Sequence, residues 1–224
     1  MATIILVSSP ENLNKQTLLT LHLATFLAAS HQTGVVDFFP QTHILENFIA
    51  KRHCFNLKHN QNLPVPAYFE NSKNILAKIP SKFDFIVLDD ASGALLEYAD
   101  IVLTLISNSK CVEYLTTKDS LLSQKIWQAK INRAKAGKSA FKHVLIPCNF
   151  LDNAQIQSLK QNASSTGYSV APKLNQNEAF ESCLNDGITV LDKDMPCFLK
   201  NFNQNDFFAR RNLKQILEFI WADK

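Results

Sequence analysis

The 224-residue chain holds only five glycines, and the first of them is Gly34. Its opening stretch therefore lacks the residue that adopts left-handed backbone at no steric cost. The five cysteines (Cys54, Cys111, Cys148, Cys183, Cys197) are scattered, with no CxxC pair. That excludes a patterned disulfide framework and fits free thiols in a reducing cytoplasm. His53, Cys54 and His59 are close in sequence, but no carboxylate or second cysteine completes metal-ligand spacing. No apolar run reaches the roughly 18 residues a membrane span needs. No basic segment leads into an apolar one at the N-terminus, so no signal peptide is expected and the expected location is cytoplasmic. The formal net charge of +3 does not by itself announce a nucleic-acid binder. With 46% hydrophobic and 19% charged residues, the composition is that of a soluble chain able to bury one substantial core, a single domain over 1–224.

What is present is an alternation of two patterns. Thr3–Val7 reads as a buried strand, Ser8–Asn14 as a tight loop, and a helix runs from Lys15 to about Ser30. Gly34–Asp37 is a short strand ending on a carboxylate, and Phe39-Pro40-Gln41 a turn, because proline cannot continue a ladder. Leu45–Lys51 reads as a short helix and the polar stretch Arg52–Pro66 as a loop. Phe83–Asp89 and Ile101–Ile106 are continuous apolar runs, the pattern of strands covered on both faces in a parallel sheet. Val112 to about Lys135 has a helical period, with Leu115, Leu122 and Ile126 as its buried side, Trp127 as a further candidate, and Gly137 at its end. His143–Cys148 is a strand, Ala154–Ala163 a helix and Tyr168–Ala171 a strand. Phe207–Trp221 is a helix with Leu213, Ile216, Leu217, Ile220 and Trp221 on one stripe.

Such alternation predicts an α/β fold, a doubly wound, mostly parallel sheet flanked by helices. Ligands of these sheets sit at the carboxyl ends of the strands. Here those ends carry the opening loop, Asp37, Asp89 and Asn149. A strand, a lysine-bearing loop and a helix are the parts of a phosphate-binding P-loop, yet this loop has no glycine. A phosphate nest needs inward-pointing N–H groups, usually with positive φ somewhere along the loop. Asn12 and Asn14 are the side chains that best tolerate that region after glycine. Glu11 opposes the reading, since a carboxylate there repels a triphosphate by about 1 kcal/mol or more. Lys15 reads either as a surviving phosphate contact or as an exposed first-turn lysine. Asp37 and Asp89 read either as parts of a ligand site or as strand-end carboxylates that cap turns, and Asn149 as a further strand-end polar group or a turn residue.

In their order and spacing these segments resemble the ParA/MinD group of P-loop ATPases, whose loop reads KGGxGKT[TS], and within that group the likeness is greatest to the MipZ type. Lys15 falls on the lysine closing the motif and Thr17 on its second hydroxyl position. Asp37 falls on the first aspartate of the DxD after the second strand. FDFIVLDDASG places Asp89 on the strand-end aspartate and Gly93 on the DTPxG glycine, and Asn149 falls on the asparagine that meets adenine. The likeness extends to Lys125–Leu151, to Leu63-Pro64-Val65-Pro66 and to the late segment Asn185–Asp192. The resemblance implies a nucleotide site of Asn12, Asn14, Lys15, Gln16, Thr17, Asp89 and Asn149, with Asp37 catalytic if the site is active and Asp37 and Asp89 near Mg2+ if a metal nucleotide binds.

The departures are concentrated in one place. The family's glycines fall on Glu11, Asn12 and Asn14, its first motif lysine on Pro10, its metal-holding threonine on Gln16, its second DxD aspartate on Phe39, and the threonine and proline of DTPxG on Asp90 and Ala91. Phe39 removes a carboxylate and Pro10 a cationic clamp, so no bound cofactor is expected unless ATP and Mg2+ are held by an unusual loop. Between Asp119 and Asp152 there is no acidic residue, but there are Lys125, Lys130, Arg133, Lys135, Lys138 and Lys142. With Lys200, Arg210 and Arg211 these form either a non-specific DNA surface or an ordinary solvated helix. The terminal helix carries Glu218 and Asp223 and reads as core packing, with no stable membrane insertion. The expected function is a degenerate MipZ/ParA-like protein acting in chromosome partitioning or division-site positioning. It would act through DNA, at the nucleoid, or through a ParB-like or FtsZ-like partner, possible as a homodimer, with ATP binding and hydrolysis weakened or lost. The alternatives are an active ATPase switching between monomer and ATP-dependent dimer, and an interaction scaffold without nucleotide or DNA.

Overall fold

The computed structural model describes residues 2–10, 13–72, 74–79, 81–108, 121–148, 151–192 and 203–222. Strands β1 (Thr3–Ser8), β2 (Thr33–Asp37), β3 (Ala67–Glu70), β4 (Phe85–Asp89), β5 (Ile101–Ile106), β6 (Lys142–Pro147) and β7 (Ser169–Val170) form one sheet in the order β3-β2-β4-β1-β5-β6-β7. Every pairing is parallel. The helices described are α1 (Leu13–Ala28), α2 (Ile44–His59), α3 (Ile75–Lys78), α4 (Leu121–Lys135), α5 (Asn153–Thr166), α6 (Ala179–Asn185) and α7 (Gln204–Trp221). None of them is long and apolar enough to cross a membrane.

The continuous apolar runs are explained by burial on both faces. Ile5, Val7, Val35, Val87 and Leu103 point into the larger core with α1, α2, α6 and α7. Their neighbours Leu6, Val36, Leu88 and Val102 point the other way, toward Ile126 and Ala129 of α4. Period-two alternation thus separates two cores rather than core from solvent. Local chemistry sets several helix ends. Asp152 and Gln155 form a reciprocal capping box opening α5, and Asn203 and Asp206 do the same for α7. Gly167, in left-handed backbone, closes α5.

Two expectations are corrected and one strand is found where none was read. First, α2 runs through His59, well into the stretch read as a loop. Leu45, Phe48, Ile49 and Arg52 are its buried line at helical spacing, and the position where a hydrophobe would have revealed the period is an arginine with no exposed surface. Second, the half-buried edge strand β3 pairs with β2; four residues after a proline-rich stretch carried no alternation to read. Third, Trp127 is 67% exposed, and the buried side of α4 is Ile126, Ala129 and Arg133. Leu115 and the side chain of Leu122 lie outside the described residues. The terminal helix buries Leu213, Ile216, Leu217 and Ile220 as expected, with Trp221 edge-on to Phe85 at 5.7 Å.

The late segment Asn185–Asp192 is held by a clasp. Arg52 donates from Nη1 and Nη2 to the two Asp192 carboxylate oxygens at 2.7 and 2.8 Å. It also donates from Nε to the Pro64 carbonyl at 2.6 Å and from Nη1 to the Gly187 carbonyl at 3.1 Å. Asp192 further accepts from the backbone N–H and hydroxyl of Thr189. Gly187 has φ +73°, and a Cβ there would stand 2.4 Å from the Arg52 nitrogen. Only glycine lets the two backbones come that close.

Candidate functional site

The strand order reverses around β1, so the loops after β1 and β4 meet at the carboxyl edge of the sheet beside the start of α1. Residues 37 and 89 are direct register partners on β2 and β4. Of the expected convergence of the opening loop, Asp37, Asp89 and Asn149, the described part is seen: Asp37 and Asp89 are buried at this edge with Gln16 and Thr17. Lys15 is half-buried in the first turn of α1, and Asn14 is exposed in the same turn. The helix begins at Leu13, two residues before the expected start. Among the described non-glycine residues only His43, Asn60 and Asn74 have positive φ, so Asn14 does not take the left-handed conformation. Glu11, Asn12 and Asn149 lie outside the described residues.

The centre of the site is Asp89. Gln16 Nε2 donates to its Oδ1 at 2.6 Å, the Thr17 hydroxyl to its Oδ2 at 2.6 Å, and the Thr20 hydroxyl to Oδ1 at 3.3 Å. The other end of the Gln16 amide accepts from the Ser9 backbone N–H at 2.8 Å. Because a backbone N–H only donates, the atom facing Ser9 is the amide oxygen, which leaves the NH2 for Asp89. Burial pushes the Asp89 carboxyl up to about 6, with the nearby Asp37 charge adding to the rise and the three donors opposing it. Burial also raises Asp37, which accepts from the Phe39 N–H at 2.7 Å and from the Tyr68 hydroxyl at 3.5 Å. That first contact is a local turn cap.

The next residue is also satisfied internally. Asp90 has no exposed surface and accepts from the Ser92 N–H and hydroxyl and from the Leu95 N–H. Lys125 of α4 reaches the Ser92 carbonyl at 2.7 Å. Thr20, Ser9, Asp90 and Lys125 were not read from the sequence as parts of one unit. The available signal was a glutamine and two threonines, at positions 16, 17 and 20, on the side of the helix that follows the β1 loop.

By sequence, no family profile and no curated protein matches the chain. By structure it is similar to a plasmid partition protein from Borrelia burgdorferi bound to AMPPNP, with TM-score 0.56, 17% identity and both chains covered over 100%. It is similar to apo McdA from Cyanothece, with TM-score 0.59, 18% identity, and 97% of this chain and 99% of that one covered. It is also similar to MinD in the MinC:MinD cell division complex of Aquifex aeolicus, with TM-score 0.58, 12% identity, and 100% and 97% covered. The fold is the ParA/MinD P-loop fold.

The resemblance drawn from the sequence implies a magnesium nucleotide near residue 16 and Asp89, and the side chains there are poorly suited to the metal. Mg2+ takes oxygen ligands, whereas residue 16 turns an NH2 toward Asp89 and spends its one oxygen on Ser9.

The basic candidates divide. Lys135 and Lys138 are exposed, with Lys138 5.5 Å above the Tyr98 ring. Lys130 is half-buried over Phe141, and Lys125 is exposed but engaged with Ser92. Arg133 is turned inward, 3% exposed, donating to the carbonyls of Ser139, Glu97 and Ala99 and reaching Asp100 at 3.3 Å. Its charge serves the interior and not a surface. At 100° per residue, positions 125, 130 and 135 point in three directions.

Proposed function

We propose that this chain is a degenerate ParA/MinD-type protein of the MipZ kind, acting in chromosome partitioning or division-site positioning through DNA or protein partners, with ATP binding and hydrolysis weakened or lost. The observation that carries the reading is the Gln16 amide, which occupies both the Ser9 N–H and the Asp89 carboxylate. A nucleotide-driven switch needs that carboxylate available to a metal shell, and here both of its oxygens are already bonded. The similarity in fold to a plasmid partition protein, McdA and MinD supports the partitioning or positioning role. The acid-free interval from Ser120 to Leu151 supports an anionic partner such as non-specific DNA.

One experiment separates this reading from its rivals: fluorescence anisotropy of a random-sequence duplex, across a salt series, with and without MgATP. The expected result is salt-sensitive, sequence-indifferent binding that is the same in both conditions and weaker in a Lys135→Ala, Lys138→Ala double variant. Binding that appears only with MgATP contradicts the loss of switching and favours the active ATPase. Absence of binding at low salt removes DNA as the partner and leaves a protein partner or the scaffold.

A further inference from the structure

We propose that Gln16 is a built-in substitute for a bound metal nucleotide, a positioning residue that holds the segment after β4, and through it α4, in one permanent arrangement. The inference rests on the reading above that the site has given up its nucleotide, and it adds what the site does instead.

The argument follows hydrogen bonds outward from residue 16. Its amide joins the end of β1, at Ser9, to the end of β4, at Asp89. Thr17 and Thr20 fasten the same carboxylate to the first turns of α1. The chain leaves β4 with the Asp90 N–H bonded to the Val7 carbonyl at 3.2 Å. The Asp90 carboxylate then folds residues 92–95 back on themselves, with Gly93 supplying a φ of +66°. Finally the Lys125 ammonium ties the Ser92 carbonyl to α4. β1, α1, β4, the following turn and α4 are thus linked through bonds that need no ligand. In a nucleotide switch, a phosphate and its metal supply the differential contact that selects one state of such a segment. Here a side-chain amide supplies it all the time, so the α4 surface is presented constitutively.

Hydrogen exchange measured by mass spectrometry on the native chain, Gln16→Ala and Lys125→Ala tests this. The native protein is expected to show the same protection over 88–95 with and without MgATP. Gln16→Ala is expected to speed exchange there by about tenfold or more, the scale of one buried charge-assisted hydrogen bond, while β5 and β6 exchange as before. Lys125→Ala, an exposed change that keeps the fold, is expected to speed exchange at 92–95 alone. Native-like exchange over 88–95 in Gln16→Ala, or over 92–95 in Lys125→Ala should the former not fold, overturns the inference and leaves the proposed function standing. Slower exchange of the native segment on adding MgATP overturns both.

Discussion

Asp192→Ala is expected to destabilise the protein by about 3–5 kcal/mol, because it strands the Arg52 guanidinium without its carboxylate in a site with no exposed surface. For a chain of this length each kcal/mol moves the melting temperature by about 2–4 °C, so a fall of roughly 10 °C should be seen. The loss includes more than the ion pair. Asp192 also anchors the Thr189 N–H and hydroxyl, and the clasp joins positions 140 residues apart in sequence. Replacing both members of the pair by apolar residues, Arg52→Met with Asp192→Leu, should recover only the part due to the unpaired charge, because the Thr189 N–H and the Pro64 and Gly187 carbonyls still lose their partners. Urea denaturation of the two single variants and the double variant measures this. A single-variant cost below about 1 kcal/mol would mean that the pair behaves as a surface pair and the clasp is not structural.

The second large effect is acid lability. Burial lowers His143 to about 3 and His22 to about 4, with Lys130 adding to the first shift and backbone and charge contacts modifying the second. Unfolded histidine titrates near 6.5. Both folded values lie below that, so these groups contribute stability fully present above about pH 6.5 and lost as pH falls through that value toward the folded ones. Each costs up to about 1.4 kcal/mol per pH unit in that window. Asp89 works in the opposite direction. Its folded value of about 6 is above the unfolded one, so its contribution is present at low pH and lost as pH rises through about 6. Asp37, also raised by burial, acts in the same sense as Asp89; the two histidines carry the larger shifts, and a net loss of stability is expected between neutrality and pH 4. His143→Gln keeps an uncharged hydrogen-bonding group within reach of the Thr104 hydroxyl, which lies 3.0 Å from His143 Nε2. That variant should remove most of the acid slope in urea midpoints taken from pH 7.5 to 4.5, because the remaining histidine is then largely offset by Asp89. An unchanged slope would show that His143 is not the group being titrated.

Much of the fold was legible because parallel strands buried on both faces print as unbroken apolar runs, as in IVLTLI at Ile101–Ile106. What was hidden had physical reasons. The length of α2 was obscured because its inward position 52 is polar and its partner Asp192 comes late in the chain. β3 was hidden because an edge strand of four half-exposed residues needs no alternation. At the site, the convergence of Gln16, Thr17, Asp37 and Asp89 followed from their places at strand and helix ends. The sealing did not. Considered alone, Gln16 is a poor metal ligand; only its distance to Ser9 and Asp89 together reveals it as a bridge. Arg133 was misplaced for a related reason: sequence records a charge but not that three carbonyls wait beneath the helix.

Calorimetric titration of MgATP into the native protein, with Lys15→Ala as the control, tests the proposed loss of nucleotide binding most directly. The proposal predicts no saturable heat, an affinity weaker than about 1 mM, and identical traces for the two proteins. Saturable micromolar binding that requires magnesium and disappears in Lys15→Ala would contradict it.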